Sequence, residues 1–303
     1  MNRELCELIE QVAKNKSTKL DLSERNLTSL PTEIFQLSHL EWLSLDDNQL
    51  TELSSDIGKL SELKQLDLSD NQLLTLPPEI GQLSQLEELY VEGNQLAMLT
   101  HDISKLSKLK TLNLADNQLI ALPLTFTQLE QLKELDMSNN RLIAIPPEIS
   151  QLPKLRNLDV SGNQLTNISS DISQFSKLRT LNLSNNQLTT LPLTFSQLSN
   201  LKELDISINK LKVLPLEICQ LFKLRELYLS ENKIEVCPAE IGQLSELEWL
   251  DIRDNQLTNL PPTIFQLSEL EWLALDGNPL PIPHKILEAA DEPEEIISYC
   301  IKT

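Results

Sequence analysis

The residues of this 303-residue chain best suited to chemistry are its acids. Asp21, Asp67, Asp136, Asp159, Asp205 and Asp251 are separated by whole multiples of 23 residues, and Glu88, Glu134, Glu203 and Glu226 keep the same register two positions earlier. Carboxylates held at regular spacing can serve as general acid and base or bind a cation. Acid–base work needs one carboxyl desolvated enough to keep its proton near neutral pH, and a hard cation wants six or more converging oxygens. Acids on an open ladder stay hydrated and ionised, so the pattern predicts a charged surface, with no catalytic residues, no metal site and no cofactor.

The other reactive side chains do not form a constellation either. His39, His101 and His284 lie far apart in sequence, and none is spaced for a triad or a zinc site. None of the six glycines sits in a G-x-x-x-x-G-K-[ST] phosphate loop. Cys6, Cys219, Cys237 and Cys300 are scattered, without the end clusters of an exported, disulfide-capped repeat protein. The sequons at Asn15, Asn26, Asn167 and Asn182 arise from the repeat consensus itself.

That consensus dictates the elements. Leu20, Leu43, Leu66 and nine further leucines to Leu273 recur every 23 residues without insertion or deletion, giving twelve units over 17–280. The unit is L-x-x-L-x-L-x-x-N-x-L-x-x-L-P-x-x-I-x-x-L-x-x, whose first eleven positions carry the leucine-rich repeat signature. Apolar positions 4 and 6 between variable positions 3, 5 and 7 have the period of a strand with one buried face. Asn occupies position 9 in every unit but the first, where Arg25 stands; a stack of amides can satisfy the backbone groups of a buried turn. Proline at position 15 in eight units predicts a 3-10 or polyproline turn in place of a second strand. In "SSDI", "THDI" and "SSDI", Ser54, Thr100 and Ser169 replace that proline and read as helix caps.

The expected fold is an α/β solenoid: a leucine-rich repeat horseshoe with a parallel β-sheet on its concave side, 3-10 turns on its convex side and helical caps at both ends. Residues 1–16 form the N-terminal capping helix, with Leu5, Leu8, Ile9 and Val12 on one stripe; 17–280 hold the repeats; 281–303 form the C-terminal cap, with Ile296, Ile297, Tyr299 and Cys300 offering an apolar face.

Positions 3, 5, 7 and 8 of the units face the expected concavity. They hold Trp42, Tyr90, Tyr228, Trp249 and Trp272, five of the six Trp and Tyr in the protein, which predicts contact anchors with the main patch toward the C-terminal end. They also hold nineteen acids against two bases, −17 of the net −20. A protein or peptide partner with a basic surface is expected, with Asp205, Glu226 and Asp251 as electrostatic guides. The same charge opposes nucleic acid and anionic membranes. Position 2 is mostly basic, with Lys64, Lys110, Lys133, Arg156, Arg179, Lys202 and Arg225, and would offset part of the acidic field. "DISKLSKLKTLNLADNQLIALPLTFTQL" at 102–129 reappears 69 residues later, so three units were duplicated as a block.

With this unit established, the chain resembles the Ras-group (23-residue LPxxI) class of leucine-rich repeat proteins and is similar to Ras-suppressor-type scaffolds. The opening helix running into "STKLDLSERNLTSLP" and the closing "GNPLPIPHKILEAADEPEEIISYCIKT" look like the repeat region of bacterial Roco proteins. The resemblance implies a non-catalytic, cytoplasmic interaction module for signal transduction, touching small GTPases or signalling proteins. The alternative is the regulatory or targeting repeat region of a Roco-type GTPase or repeat-bearing effector whose catalytic domain lies outside this chain.

Overall fold

The computed structural model describes residues 3–287, 291–293, 296 and 299. The chain forms two compact units, the first comprising residues 1–142 and 146–155, the second residues 143–145 and 156–303.

In the first unit, α1 (Arg3–Asn15) buries Leu5, Ile9 and Val12. It packs on β1 (Lys19–Asp21). Five strands follow: β2 (Trp42–Ser44), β3 (Gln65–Asp67), β4 (Glu88–Tyr90), β5 (Thr111–Asn113) and β6 (Glu134–Asp136). Each pairs in parallel with the next at a shift of one repeat, Leu20 opposite Leu43 and Leu112 opposite Leu135. The second unit repeats the scheme with β7 (Asn157–Asp159), β8 (Thr180–Asn182), β9 (Glu203–Asp205), β10 (Glu226–Tyr228), β11 (Trp249–Asp251) and β12 (Trp272–Ala274). Its strands are also parallel and sequential. The fold is a leucine-rich repeat solenoid. Of the C-terminal residues expected to cap it, Ile296 is buried, while Ile297 and Cys300 lie outside the described residues.

Three-residue strands with one or two buried side chains each cannot hold a fold by ladder hydrogen bonds alone. The position-9 asparagines supply the rest. Asn94 is 7% exposed. Its amide Nδ2 donates to Leu68 O at 2.9 Å in the preceding repeat and to Val91 O and Glu92 O at 3.1 and 3.0 Å in its own. Its Oδ1 accepts from Leu73 N at 2.9 Å. Each amide therefore serves the repeat before it. Asn48 does this for the first repeat, accepting from Arg25 N and Leu27 N. Arg25 has no earlier repeat to serve, which is why that position tolerates a solvated side chain.

The turn segments follow their capping chemistry. Pro31, Pro77, Pro123, Pro192, Pro238 and Pro261 adopt φ between −63 and −72° and lead into 3-10 turns. Where proline is replaced, Ser54, Thr100 and Ser169 accept the backbone N–H of Asp56, Asp102 and Asp171. One turn is a single α-helical turn instead, α2 (Pro147–Ser150). At Ile218–Gln220 the 3-10 turn shortens, and Val213 and Val236 form a parallel bridge in the stretch before it.

Position 8 of all twelve repeats takes a left-handed backbone, φ +48 to +72°. Gly93, Gly162 and Gly277 fit without cost, and Asp and Asn tolerate it, which explains their frequency there. Glu24 and Glu231 adopt it too, and Ile208, at φ +52° and 44% exposed, is the β-branched residue among them.

Two outcomes are expected in thermal or urea unfolding. Asn94→Ala strands four buried backbone groups and costs about 3–5 kcal/mol, whereas Arg25→Ala costs under about 0.5 kcal/mol. Ile208→Asn relieves a β-branched side chain from the left-handed region and stabilises the protein by about 1 kcal/mol. A destabilised Ile208→Asn protein would show that the isoleucine packs productively where it stands.

Candidate functional site

Positions 3 and 5 of each strand flank a buried leucine; most of their side chains are half-buried, those of Lys19, Asp21, Glu134 and Asn157 are exposed, and Ser44, Asp251 and Ala274 are buried. Of the eight residues singled out above, Trp42 on β2 and Tyr90 on β4 lie in the first unit, and the other six lie on β9–β12 of the second.

Those six form two rows. Register places Glu226, Trp249 and Trp272 side by side at position 3, and Asp205, Tyr228 and Asp251 at position 5. The two indoles stack, ring centroids 4.5 Å apart and planes within 7°. This interaction spends one face of each ring inside the protein and is worth about 0.5–1.5 kcal/mol beyond burial. The indoles are therefore a joined pair rather than two independent, fully water-facing contacts. Trp42 sits between Lys19 and Gln65 in register, without a ring partner among the described residues.

Both tyrosines are tethered by their own strand. Tyr228 OH donates to Glu226 Oε2 at 2.8 Å, and Tyr90 OH to Glu88 Oε2 at 3.0 Å. Burial, reinforced by these carboxylates, pushes the Tyr90 phenol up to about 12 and raises that of Tyr228 further. The phenols stay protonated and hold each glutamate in place.

The acids differ in how much charge they show to a partner. Asp205 Oδ1 accepts from Ser207 N at 2.8 Å. The same contact recurs at position 5 in Asp67, Asp136, Asp159, Asn113 and Asn182, each accepting from the backbone N–H two residues on. These side chains close the end of the strand. Asp251 does so as well, but Arg253 also grips it with two side-chain bonds, Nε to Oδ1 at 3.0 Å and Nη2 to Oδ2 at 2.6 Å. At 4% exposure Asp251 is a neutralised, buried anchor for Arg253. It shows less charge to solvent than Asp205 and Glu226 do, a difference set by a base two residues away.

Burial raises the Asp205 carboxyl above its ordinary 3.8, against the lowering effect of the Ser207 hydrogen bonds, and the charges of Asp159 and Asp251 add to the rise. Glu203 is raised by burial and by the neighbouring Glu226 charge, and Glu92 by burial. Among the described residues no group of three or more His, Cys, Asp or Glu could hold a metal ion. Cys219 and Cys237 are buried, and burial pushes both thiols up to about 12, which leaves them unreactive at neutral pH.

One residue escaped the sequence reading. Ile208 presents a strained, exposed aliphatic side chain one repeat before Tyr228. The available signal was its position, since every other position 8 holds Gly, Asp, Asn or Glu.

The raised acids fix a pH dependence. Where the folded pKa exceeds the unfolded one, the folded protein binds more protons in the window between the two, so stability falls as pH rises through it. For Asp205, Glu203 and Glu92 that window opens at 3.8–4.5 and extends upward. Asp21 and Glu87, lowered by hydrogen bonds from Ser23 and Lys110, act oppositely and only below their ordinary values. The melting temperature is expected to rise as pH is lowered from neutral toward the ordinary carboxylate values. Asp205→Asn, which keeps an acceptor for Ser207 N–H, should raise the pH 7 value and flatten the rise; a melting temperature that drops steadily on acidification would refute this account.

Comparison with known proteins follows from this geometry. Leucine-rich repeat models match residues 18–100 and 215–289, and 84–142, 107–165, 153–211 and 176–234. No curated protein matches the chain. Among solved structures, a Leptospira interrogans leucine-rich repeat protein is similar at 37% identity and TM-score 0.86, over 93% of this chain and 77% of that one. A plant peptide hormone receptor, RGFR1 in complex with RGF2, is similar at 30% identity and TM-score 0.67, over 83% of this chain and 46% of that one. A Listeria monocytogenes internalin at 23% identity, TM-score 0.72, covering 95% and 92%, shares the fold. The matched models together span nearly all of the repeats, and the chain belongs to the leucine-rich repeat family.

Proposed function

We propose that this chain is a non-catalytic module that binds a protein or peptide with a basic surface on the open strand face of its second unit. The observation that carries the reading is the juxtaposition on β9–β12 of the Trp249–Trp272 stack, the tethered Tyr228–Glu226 pair and the destabilised Asp205. Large rigid rings beside acids that remain ionised at neutral pH supply contact area and charge for a cationic segment. Asp205 is held by backbone chemistry that an asparagine would satisfy equally, as Asn182 does in the neighbouring repeat. Its charge is therefore surplus to the fold, which favours a role in recognition. The similar plant receptor, whose structure contains RGF2, supports a peptide-sized ligand. Trp42 and Tyr90 offer the first unit a smaller site of the same kind.

The repeat consensus also resembles that of the Ras-group class. On that basis the partner belongs to intracellular signalling, with a small GTPase or an associated enzyme as the nearest chemical type, and the protein acts in the cytoplasm.

Selection from a displayed random-peptide library tests the reading. Enriched sequences should combine Lys or Arg with an aromatic or bulky aliphatic residue, and their affinity should fall as salt rises. Trp249→Ala/Trp272→Ala is expected to weaken selected peptides at least tenfold, and Asp205→Asn several-fold, with both proteins still folded. Equal binding by the double variant, or a library that yields no enrichment, would refute the site.

A further inference from the structure

A second surface of opposite sign lies along position 2, beside the strands. In the first unit two bases of this row are paired with acids of the same row one repeat earlier, Lys64 with Glu41 at 3.0 Å and Lys110 with Glu87 at 2.5 Å, while Lys133 follows Lys110 with no acid between them. The second unit continues this run of bases. Arg156, Arg179 and Lys202 follow one another without an acid between them. Backbone bonds from Arg179 N to Arg156 O at 2.7 Å and from Lys202 N to Arg179 O at 2.7 Å hold them in register. Adjacent strands are about 4.8 Å apart, so the row sets like charges side by side at a cost to stability.

Lys177 and Lys223, two residues before Arg179 and Arg225 with Asn200 at the same repeat position between them, face the same space. Together with Asn200 and Glu246 these five bases line a groove of about 450 Å³. Lys223 Nζ donates to Asn200 Oδ1 at 2.9 Å, and the Asn200 amide is itself anchored to Ser176 O at 2.8 Å. Arg225, next in the row, is taken by Glu248 at 3.1 Å and Glu246 at 3.9 Å. Arg156, Lys177, Arg179, Lys202 and Lys223 have no ion-pair partner among the described residues. In a chain of net charge −20, five unpaired cations around one groove are not explained by a shortage of acids.

We infer that this groove is an anion site for a phosphoryl group. Two guanidinium forks and three ammonium groups can saturate the several oxygens of a doubly charged oxyanion, whereas a halide could use only one or two of them. The residues face a different row from the proposed peptide face, so the two surfaces can be tested independently. A phosphoryl group reaches the groove either as free phosphate or on a phosphorylated side chain, and both present the same oxygens.

Titration calorimetry of the full chain at low salt decides it. Inorganic phosphate should bind saturably at one site, with an equal concentration of chloride unable to displace it. Arg179→Gln/Lys202→Gln should weaken binding at least tenfold, and Lys64→Gln, at a paired base of the other unit, should leave it unchanged. A phosphoserine peptide that binds at least tenfold more tightly than inorganic phosphate, with its unphosphorylated form silent, identifies a phosphorylated side chain as the ligand. A peptide no tighter than inorganic phosphate identifies the free anion. Absence of saturable phosphate binding, or a double variant that binds as the wild type does, overturns the site.

Discussion

The structure depends on the side-chain amide at position 9. A three-residue strand with a single buried leucine leaves the following turn with carbonyls and an N–H directed inward, where water cannot reach them. One asparagine answers all of them, donating within its own repeat and one repeat back, and accepting from the earlier repeat as well, as Asn71 and Asn209 illustrate. Serving two repeats at once is what makes neighbours inseparable: each unit's buried polar groups are satisfied only by the next. The 23-residue period then admits no insertion, because one extra residue would lift an amide out of reach of carbonyls it meets at about 3 Å.

That rigidity governs what the strand face can display. Positions 3 and 5 are placed at one strand spacing from their copies in adjacent repeats, so any acid repeated there meets its own kind. At position 5 the fold needs an acceptor for the N–H two residues on, and Asp or Asn will do. At position 8 it needs tolerance of a left-handed backbone, and Gly, Asp or Asn will do. Ten of the nineteen acids on this face are aspartates at those two positions. Backbone demands therefore account for an Asx side chain at each, and for none of the charge. The choice of aspartate over asparagine at Asp205, which burial and neighbouring charges both oppose, is the part that the backbone does not explain.

Much of this was legible in the sequence because the repeat is a backbone requirement written in residue types. The leucines gave the strands, the asparagines the ladder, the prolines and their Ser/Thr substitutes the turns, and Arg25 the first repeat. What a repeat cannot reveal is the relation between unlike residues in adjacent copies. Trp249 and Trp272 occupy equal positions, which foretold neighbouring rings but not that each would cover a face of the other. Asp251 shared its slot with five other aspartates, yet its charge is cancelled because Arg253 replaces the serine or small residue found at most position 7 sites. The bases of position 2 read as a diffuse counterweight to the acids, since only coordinates distinguish a row of ion pairs from a row of unpaired cations.

These departures from the consensus share a logic. A solenoid built from near-identical units has no reason of its own to place an isoleucine at a left-handed turn, three consecutive bases on one flank or two stacked indoles on a water-facing sheet. Each costs something locally: backbone strain at Ile208, repulsion along Arg156, Arg179 and Lys202, apolar surface at the rings. All of these residues fall in the second unit, while Trp42 in the first has no ring partner among the described residues. Where the scaffold is this uniform, the residues that break its rules at a cost are the ones whose presence the scaffold does not explain.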